Sequence, residues 1–219
     1  NNALATQNFT TATEARNTAV GFGTGFAITT GTENVAIGTS TLQTQNSGGN
    51  QNTGVGHNSL KDNTTGDSNT AIGRASLFEN TTASSNTAVG MNCMLDNTTG
   101  GQNTAVGESA LSNNTTAGTN TAVGFQAMND NTTGANNVAI GYLALGNNTT
   151  AAGNFAAGYK ALEDCTTGHS NAASGPYALS NVTTGDKNTA VGYSAGARIT
   201  TANEFTAVGY YAGLYATGG

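Results

Sequence analysis

Charge is scarce in this chain: Asp, Glu, Lys and Arg make up only 8% of its 219 residues, against about 25% in an ordinary soluble domain. Disordered chains of low hydrophobicity usually carry high charge, so this scarcity excludes that class and leaves Asn, Thr, Ser and Gly as the polar mass. The six Lys and Arg residues are scattered through a chain of net charge -6. Nucleic acid and anionic membrane both demand a basic face, and neither is expected as a partner. No apolar run is long enough to span a bilayer, so no membrane insertion of this segment is expected, and no secretion signal is visible. Good helix formers are also in short supply. Thr, Asn and Gly are poor ones, and no continuous 3.6-residue periodicity runs through the sequence.

What is present is repetition. The phrase Asn-Thr-Ala-Val-Gly, or a close relative, closes on Gly21, Gly38, Gly56, Gly73, Gly90, Gly107, Gly124, Gly141, Gly158, Gly175, Gly192 and Gly209. The spacing is 17 residues throughout, except for 18 between Gly38 and Gly56. A period this short makes each unit one coil of a stacked solenoid, not a domain. Residues 17–219 are expected to form one continuous repeat array. Residues 1–16 look like the tail of a preceding, slightly expanded coil, with Ala3-Leu4 and Thr10-Thr11 as its marks. Both ends are expected to cut through a longer array, since Ala216-Thr217-Gly218-Gly219 stands where Thr-Thr-Gly is due.

Aligning the coils exposes columns. Just before the glycine stands a β-branched stripe: Val20, Ile37, Val55, Ile72, Val89, Val106, Val123, Ile140, Val191 and Val208. The preceding position is alanine in every coil except at Gly54. This alternation is that of a strand, and the small residues imply close packing against its second face. Farther on comes a column of Leu or Met, from Leu42 to Leu179, and then the Thr-Thr pair, expected as a shorter second strand. Asparagine opens the phrase at Asn17, Asn34, Asn52, Asn69, Asn86, Asn103, Asn120, Asn137, Asn154, Asn171 and Asn188, and Phe205 replaces it in the last coil. Asparagine tolerates left-handed corners and its amide can bond to the copies above and below. The expected fold is an all-β parallel β-solenoid, a roll of about twelve coils with two strands and two corners each. Coils so poor in large side chains need a further surface to bury. The β-branched stripe is the natural one, so a parallel homo-oligomer in register about a shared axis is expected.

Asn34-Val35-Ala36-Ile37-Gly38 and Asn137-Val138-Ala139-Ile140-Gly141 resemble the Asn-Ser-Val-Ala-Ile-Gly motif of trimeric autotransporter adhesin heads of the YadA-like type. The Asn-Thr-Ala-Val-Gly-Tyr-x-Ala-Leu arrays are also similar to repeats of bacteriophage tail fibres. The resemblance spans residues 17 to 219. It implies a left-handed β-roll, a homotrimeric fibre, an extracellular, cell-surface or virion location, and attachment to a surface glycan or protein receptor. The coils here are longer than those of adhesin heads and more regularly Thr-Thr-Gly.

Chemistry-bearing residues are few. His57 and His169 lie in different columns nearly seven coils apart, and no Ser or Cys has a coil-mate histidine in a matching column, so no enzyme, cofactor or metal site is expected. Cys93 and Cys165 lie four coils apart, which at about 4.8 Å per coil is roughly 19 Å along the axis. A disulfide spans about 7 Å between Cα atoms, so none is expected within the chain. Asp62, Glu79, Asp96, Asp130 and Asp164 share a column with Asn113, Asn147 and Asn181; neighbouring carboxylates there suit either a cation or a solvated corner capping turns. The residue after the glycine becomes aromatic late in the chain, at Phe125, Tyr142, Tyr159, Tyr193 and Tyr210. Tyr142, Tyr159, Tyr193 and Tyr210 are thus candidate glycan contacts, although tyrosine is also an ordinary strand residue. The Thr-Thr column suggests an ice-binding ladder, with only one rank outward because adjacent residues point to opposite faces. Asn-Thr-Thr matches a glycosylation acceptor. A purely structural spacer is the third alternative. Regularity breaks at Gly48-Gly49, Pro176, Gly196 and Gly213.

Overall fold

The computed structural model describes residues 15–44 and 49–215, together with Ala3. The expectations for the rest of 1–14, for 45–48 within the insertion and for 216–219 lie outside the described residues. Each phrase forms one three-residue strand: β1 (Thr18–Val20), β2 (Val35–Ile37), β3 (Thr53–Val55), β4 (Thr70–Ile72), β5 (Thr87–Val89), β6 (Thr104–Val106), β7 (Thr121–Val123), β8 (Val138–Ile140), β9 (Phe155–Ala157), β10 (Ala172–Ser174), β11 (Thr189–Val191) and β12 (Thr206–Val208). They stack in sequence order as a single parallel sheet of 12 strands, a β-solenoid of about eleven turns without helix among the described residues. Register is strict. Val89 pairs with Val106 and Val106 with Val123, and the 18-residue coil leaves Val35 on Thr53 and Ile37 on Val55.

Along each strand the middle residue points inward. Ala36, Ala71, Ala88, Ala105, Ala122, Ala139, Ala156, Ala173 and Ala190 are all 0% exposed. Against them lie the Leu and Met residues of the next column, from Leu42 to Leu179, also fully buried. These leucines and methionines adopt φ of 48 to 54°, a left-handed conformation that costs about 1–2 kcal/mol per residue. Burying such a side chain is worth about 1.5–3 kcal/mol, so packing outweighs the backbone penalty. The β-branched stripe is not part of this core. Its members lie on the outer face, from half-buried Val55, Val89 and Val123 to Val208 at 69% exposure.

Two expectations are corrected. The Thr-Thr segment is a bend, not a second strand. The N–H groups of Thr98 and Thr99 both donate to Thr115 O, at 3.0 and 3.1 Å, and the neighbouring coils repeat the pattern. Two donors converging on one carbonyl curl the chain instead of extending a ladder. The left-handed corner is also displaced by one residue: φ is positive at Gln51, Ser68, Ser85, Gln102 and Asn136, immediately before the ladder asparagine and not at it.

The asparagines turn inward. In the expected ladder, each Oδ1 accepts the backbone N–H of the next copy, as in Asn86 N to Asn69 Oδ1 at 3.0 Å and Asn103 N to Asn86 Oδ1 at 2.9 Å. A second buried column, Asn63, Asn80, Asn97, Asn114, Asn131 and Asn148, links amide to amide, with Asn114 Nδ2 donating to Asn97 Oδ1 at 2.7 Å. One corner carbonyl ties the two columns together. Gly100 O accepts from Asn86 Nδ2 at 2.9 Å and from Asn97 Nδ2 at 3.0 Å. These amides satisfy backbone groups that a thin core would otherwise leave orphaned.

Candidate functional site

With the alanines inside, the first and third residues of each strand share the outer face, Thr and Val or Ile in most strands, which runs past all twelve strands. Val20, Ile37, Ile72, Val106, Ile140, Val191 and Val208 are 57, 39, 41, 38, 45, 44 and 69% exposed in the isolated chain. The row runs unbroken from Val20 to Ile140, gives way to Ala157 and Ser174 in β9 and β10, and resumes at Val191 and Val208; an ordered apolar row of this length exceeds the scattered exposure normal for a soluble monomer.

The two asparagine columns offer nothing to a ligand. Every acceptor of an Asn-Thr-Thr triplet, from Asn63 to Asn148, is 0% exposed, so these glycosylation patterns are sealed in the folded coil. The threonines divide as expected into an engaged and an outward rank. The first of each pair donates its hydroxyl to the next coil, as Thr98 Oγ1 does to Thr115 O at 2.9 Å, and the second, from Thr65 to Thr184, is exposed.

The acidic column is a partly solvated corner. Asparagines in it donate to carboxylates in adjoining coils, Asn113 to Asp130 at 3.2 Å and Asn147 to Asp164 at 2.9 Å. Burial raises the Asp96 carboxyl above the ordinary aspartate value. Among the described residues no group of three His, Cys, Asp or Glu is placed to hold a metal ion. Cys93 and Cys165 are buried free thiols. His169 is used structurally, its Nδ1 accepting the Ala152 N–H at 3.0 Å, and nothing in the structure brings it near His57.

The aromatic column behaves differently along its length. Phe125, Tyr142 and Tyr159 form a parallel stack, with centroids 5.4 and 5.1 Å apart and planes within 9 and 7°. Such stacking turns ring faces toward one another and edges to solvent. At Pro176 the pattern shifts. This column's nitrogen donates to no backbone carbonyl of a neighbouring coil among the described residues, whereas its carbonyl accepts Ser194 N at 2.9 Å, so proline enters without breaking the sheet. The aromatic ring then falls one residue later, at Tyr177. Tyr177 meets Tyr193 at 5.9 Å and 74°, and Tyr193 meets Tyr211 at 5.6 Å and 77°, both edge to face. Tyr193 also stacks on Tyr210 at 5.6 Å.

This change of packing opens a shallow groove of about 290 Å³ lined by Tyr177, Tyr193, Tyr211, Asn181, Ser194 and Arg198, among others. Tyr177, Tyr211 and Arg198 escape a column-by-column sequence reading because each departs from its column. The available signal is Arg198, which stands in the acidic column and reverses its sign. Tyr193 is thus the one candidate glycan contact that lines the groove; Tyr142 and Tyr159 belong to the stack, and Tyr210 abuts Tyr193 from outside the lining. No family model matches the chain, and no curated protein matches it.

Proposed function

We propose that the chain is a segment of an extracellular attachment fibre, in which three parallel copies cover one another's β-branched stripes and the outer columns face the target. The observation that carries this is the stripe itself, which faces outward in register from β1 to β12 and is β-branched except at Ala157 in β9 and Ser174 in β10. Most coils bury one Leu or Met beside alanines and asparagines, so each gains by covering the face it leaves open. Parallel copies in register repeat the same contact at every coil, which gives a stiff shaft from a weakly cored chain. The resemblance to adhesin heads and tail fibres points the same way, toward a cell surface or virion tail. Catalysis has no part in the proposal. A purely structural spacer would use the same assembly without the outer contacts.

The test is the mass in solution. Light scattering on the purified chain is expected to give about three times the chain mass of 21.7 kDa, and Val106→Lys with Val123→Lys, at the centre of the stripe, should dissociate it. A monodisperse monomer at micromolar concentration would sink the fibre proposal. Ice binding is less well supported, because the first threonine of each pair donates its hydroxyl to a backbone carbonyl. Thermal hysteresis of the purified protein separates the two.

A further inference from the structure

We propose that the groove between Tyr177, Tyr193 and Tyr211 is a binding site for an acidic sugar, a uronic-acid-bearing glycan whose ring lies against tyrosine and whose carboxylate is taken by Arg198. The inference gives the attachment proposal a ligand class. None of the groove's residues belongs to a strand, so none is part of the β-branched stripe.

Two departures from the repeat, at Pro176 and Arg198, coincide to make it. Pro176 displaces the aromatic ring to Tyr177, and the edge-to-face packing that follows leaves tyrosine surfaces lining a hollow instead of closing on one another. Small residues, Ser180 and Ala197, line the floor, in a column that carries Phe78 and Leu95 in coils farther back along the solenoid. Arg198 replaces the Asp, Glu or Asn found in its column from Asp62 to Asn181.

The volume of about 290 Å³ lies near the lower end of small-ligand sites, roughly 300 Å³, which suits one or two sugar rings. Arg198 supplies the charge. Its guanidinium lies 4.7 Å from the Tyr215 ring centroid, a placement that holds the fork in position. No carboxylate among the described residues makes an ion pair with it, while Lys187 and Lys160 are already paired, with Glu204 at 3.4 Å and Glu163 at 2.9 Å. An available guanidinium selects a carboxylate, which it grips through two parallel hydrogen bonds. The apolar C–H face of a pyranose covers a tyrosine ring, and the Asn181 amide and Ser194 hydroxyl are suited to ring hydroxyls.

The experiment titrates the intact chain with a galacturonic acid trisaccharide, and in parallel with the neutral galactose trisaccharide, by calorimetry at low ionic strength. Saturable binding of the acidic sugar is expected, with Arg198→Gln weakening it by about tenfold, Tyr193→Ala weakening it at unchanged circular dichroism, and Tyr142→Ala leaving it unchanged. No saturable binding, equal binding of the neutral sugar, or indifference to Arg198→Gln would each overturn the proposal. Arg198 is exposed, so its variant folds and the test stays decisive even where Tyr193→Ala does not fold. Chain mass measured on the same sample keeps this result separate from that of the fibre.

Discussion

At Gly124 the backbone leaves no choice of residue: φ is 136° and an added Cβ would sit 2.4 Å from Gly141 O. The same close approach at the strand ends from Gly21 to Gly192 is why the glycine column is the most regular feature of the chain. The inward column three residues after the glycine varies more freely, carrying hydroxyl or thiol donors up to Cys93 and alanine from Ala110 onward. Ser59 Oγ and Ser76 Oγ donate to Ala71 O and Ala88 O at 2.8 and 3.0 Å, and Cys93 Sγ takes the same role toward Ala105 O at 3.3 Å. Cys165 likewise stands in the second asparagine column and reaches Gly168 O at 3.3 Å. Burial pushes these thiols up from 9.0, to about 12 for Cys93 and about 11 for Cys165. Their folded values exceed the unfolded one, so the folded state holds more protons above pH 9, and stability must fall as pH rises. The contribution is complete below about pH 9 and is lost as pH climbs toward 11 and 12, at up to about 1.4 kcal/mol per pH unit for each thiol. Urea midpoints at pH 8 and 10 are therefore expected to fall more for the native chain than for Cys93→Ser with Cys165→Asn. Tyrosine ionisation is common to both proteins and cancels in the difference. Parallel profiles would refute the burial argument.

Within single coils, irregularities that look independent in the sequence turn out to be one exchange. Gly196 and Gly213 replace the buried leucine column, and Phe205 replaces the ladder asparagine. The Phe205 ring fills the space the leucines vacate: a Cβ on Gly213 would lie 2.3 Å from its Cζ, and one on Gly196 would lie 3.0 Å from its Cε1. The ladder ends there, with Phe205 N donating to Asn188 Oδ1 at 3.0 Å. Phe205→Asn alone is expected to leave a void and cost about 3 kcal/mol. Adding Gly196→Leu and Gly213→Leu should recover most of that, because φ of 60° at both glycines is close to what Leu179 adopts at 50°. A thermal-melt mutant cycle checks this, and additive losses would show the three positions to be uncoupled. Such compensation is why the element level was only partly legible. Alternation in Thr-Ala-Val-Gly placed the strands and the inward alanines from sequence alone. The Thr-Thr bend was not legible, since β-branched residues favour strands and nothing in their identity reveals two N–H groups sharing one carbonyl. The inward second column, Asn63 to Asn148, was hidden for a related reason, because asparagine before threonine reads as a turn until the core proves polar.

Across the molecule, each coil bonds only to its neighbours, so stability is a sum of similar increments along one axis. The period made the solenoid and its register plain from sequence. The groove was obscured because it arises where columns fail, at Pro176 and Arg198, and a period describes only what recurs. The same reasoning fixes which changes of length the fold tolerates. Removing Thr104–Asn120, 17 residues, joins Asn103 to Thr121 and returns every later residue to its own column: alanine inward, glycine at the strand end, asparagine under asparagine. Removing Thr104–Thr119, one residue fewer, leaves Asn120 as an extra residue after Asn103 in a segment where strand and ladder follow directly. That shift carries inward alanines to the outer face and β-branched residues to the interior, and puts a side chain where the strand-end glycines approach within van der Waals distance. The 17-residue deletion is expected to keep the circular dichroism of the parent and to lower its melting temperature by a few degrees at most. The 16-residue deletion is expected to lose cooperative melting, or to restore it only by expelling one residue as a bulge, and equal stability of the two would show that the columns do not hold the coils in register.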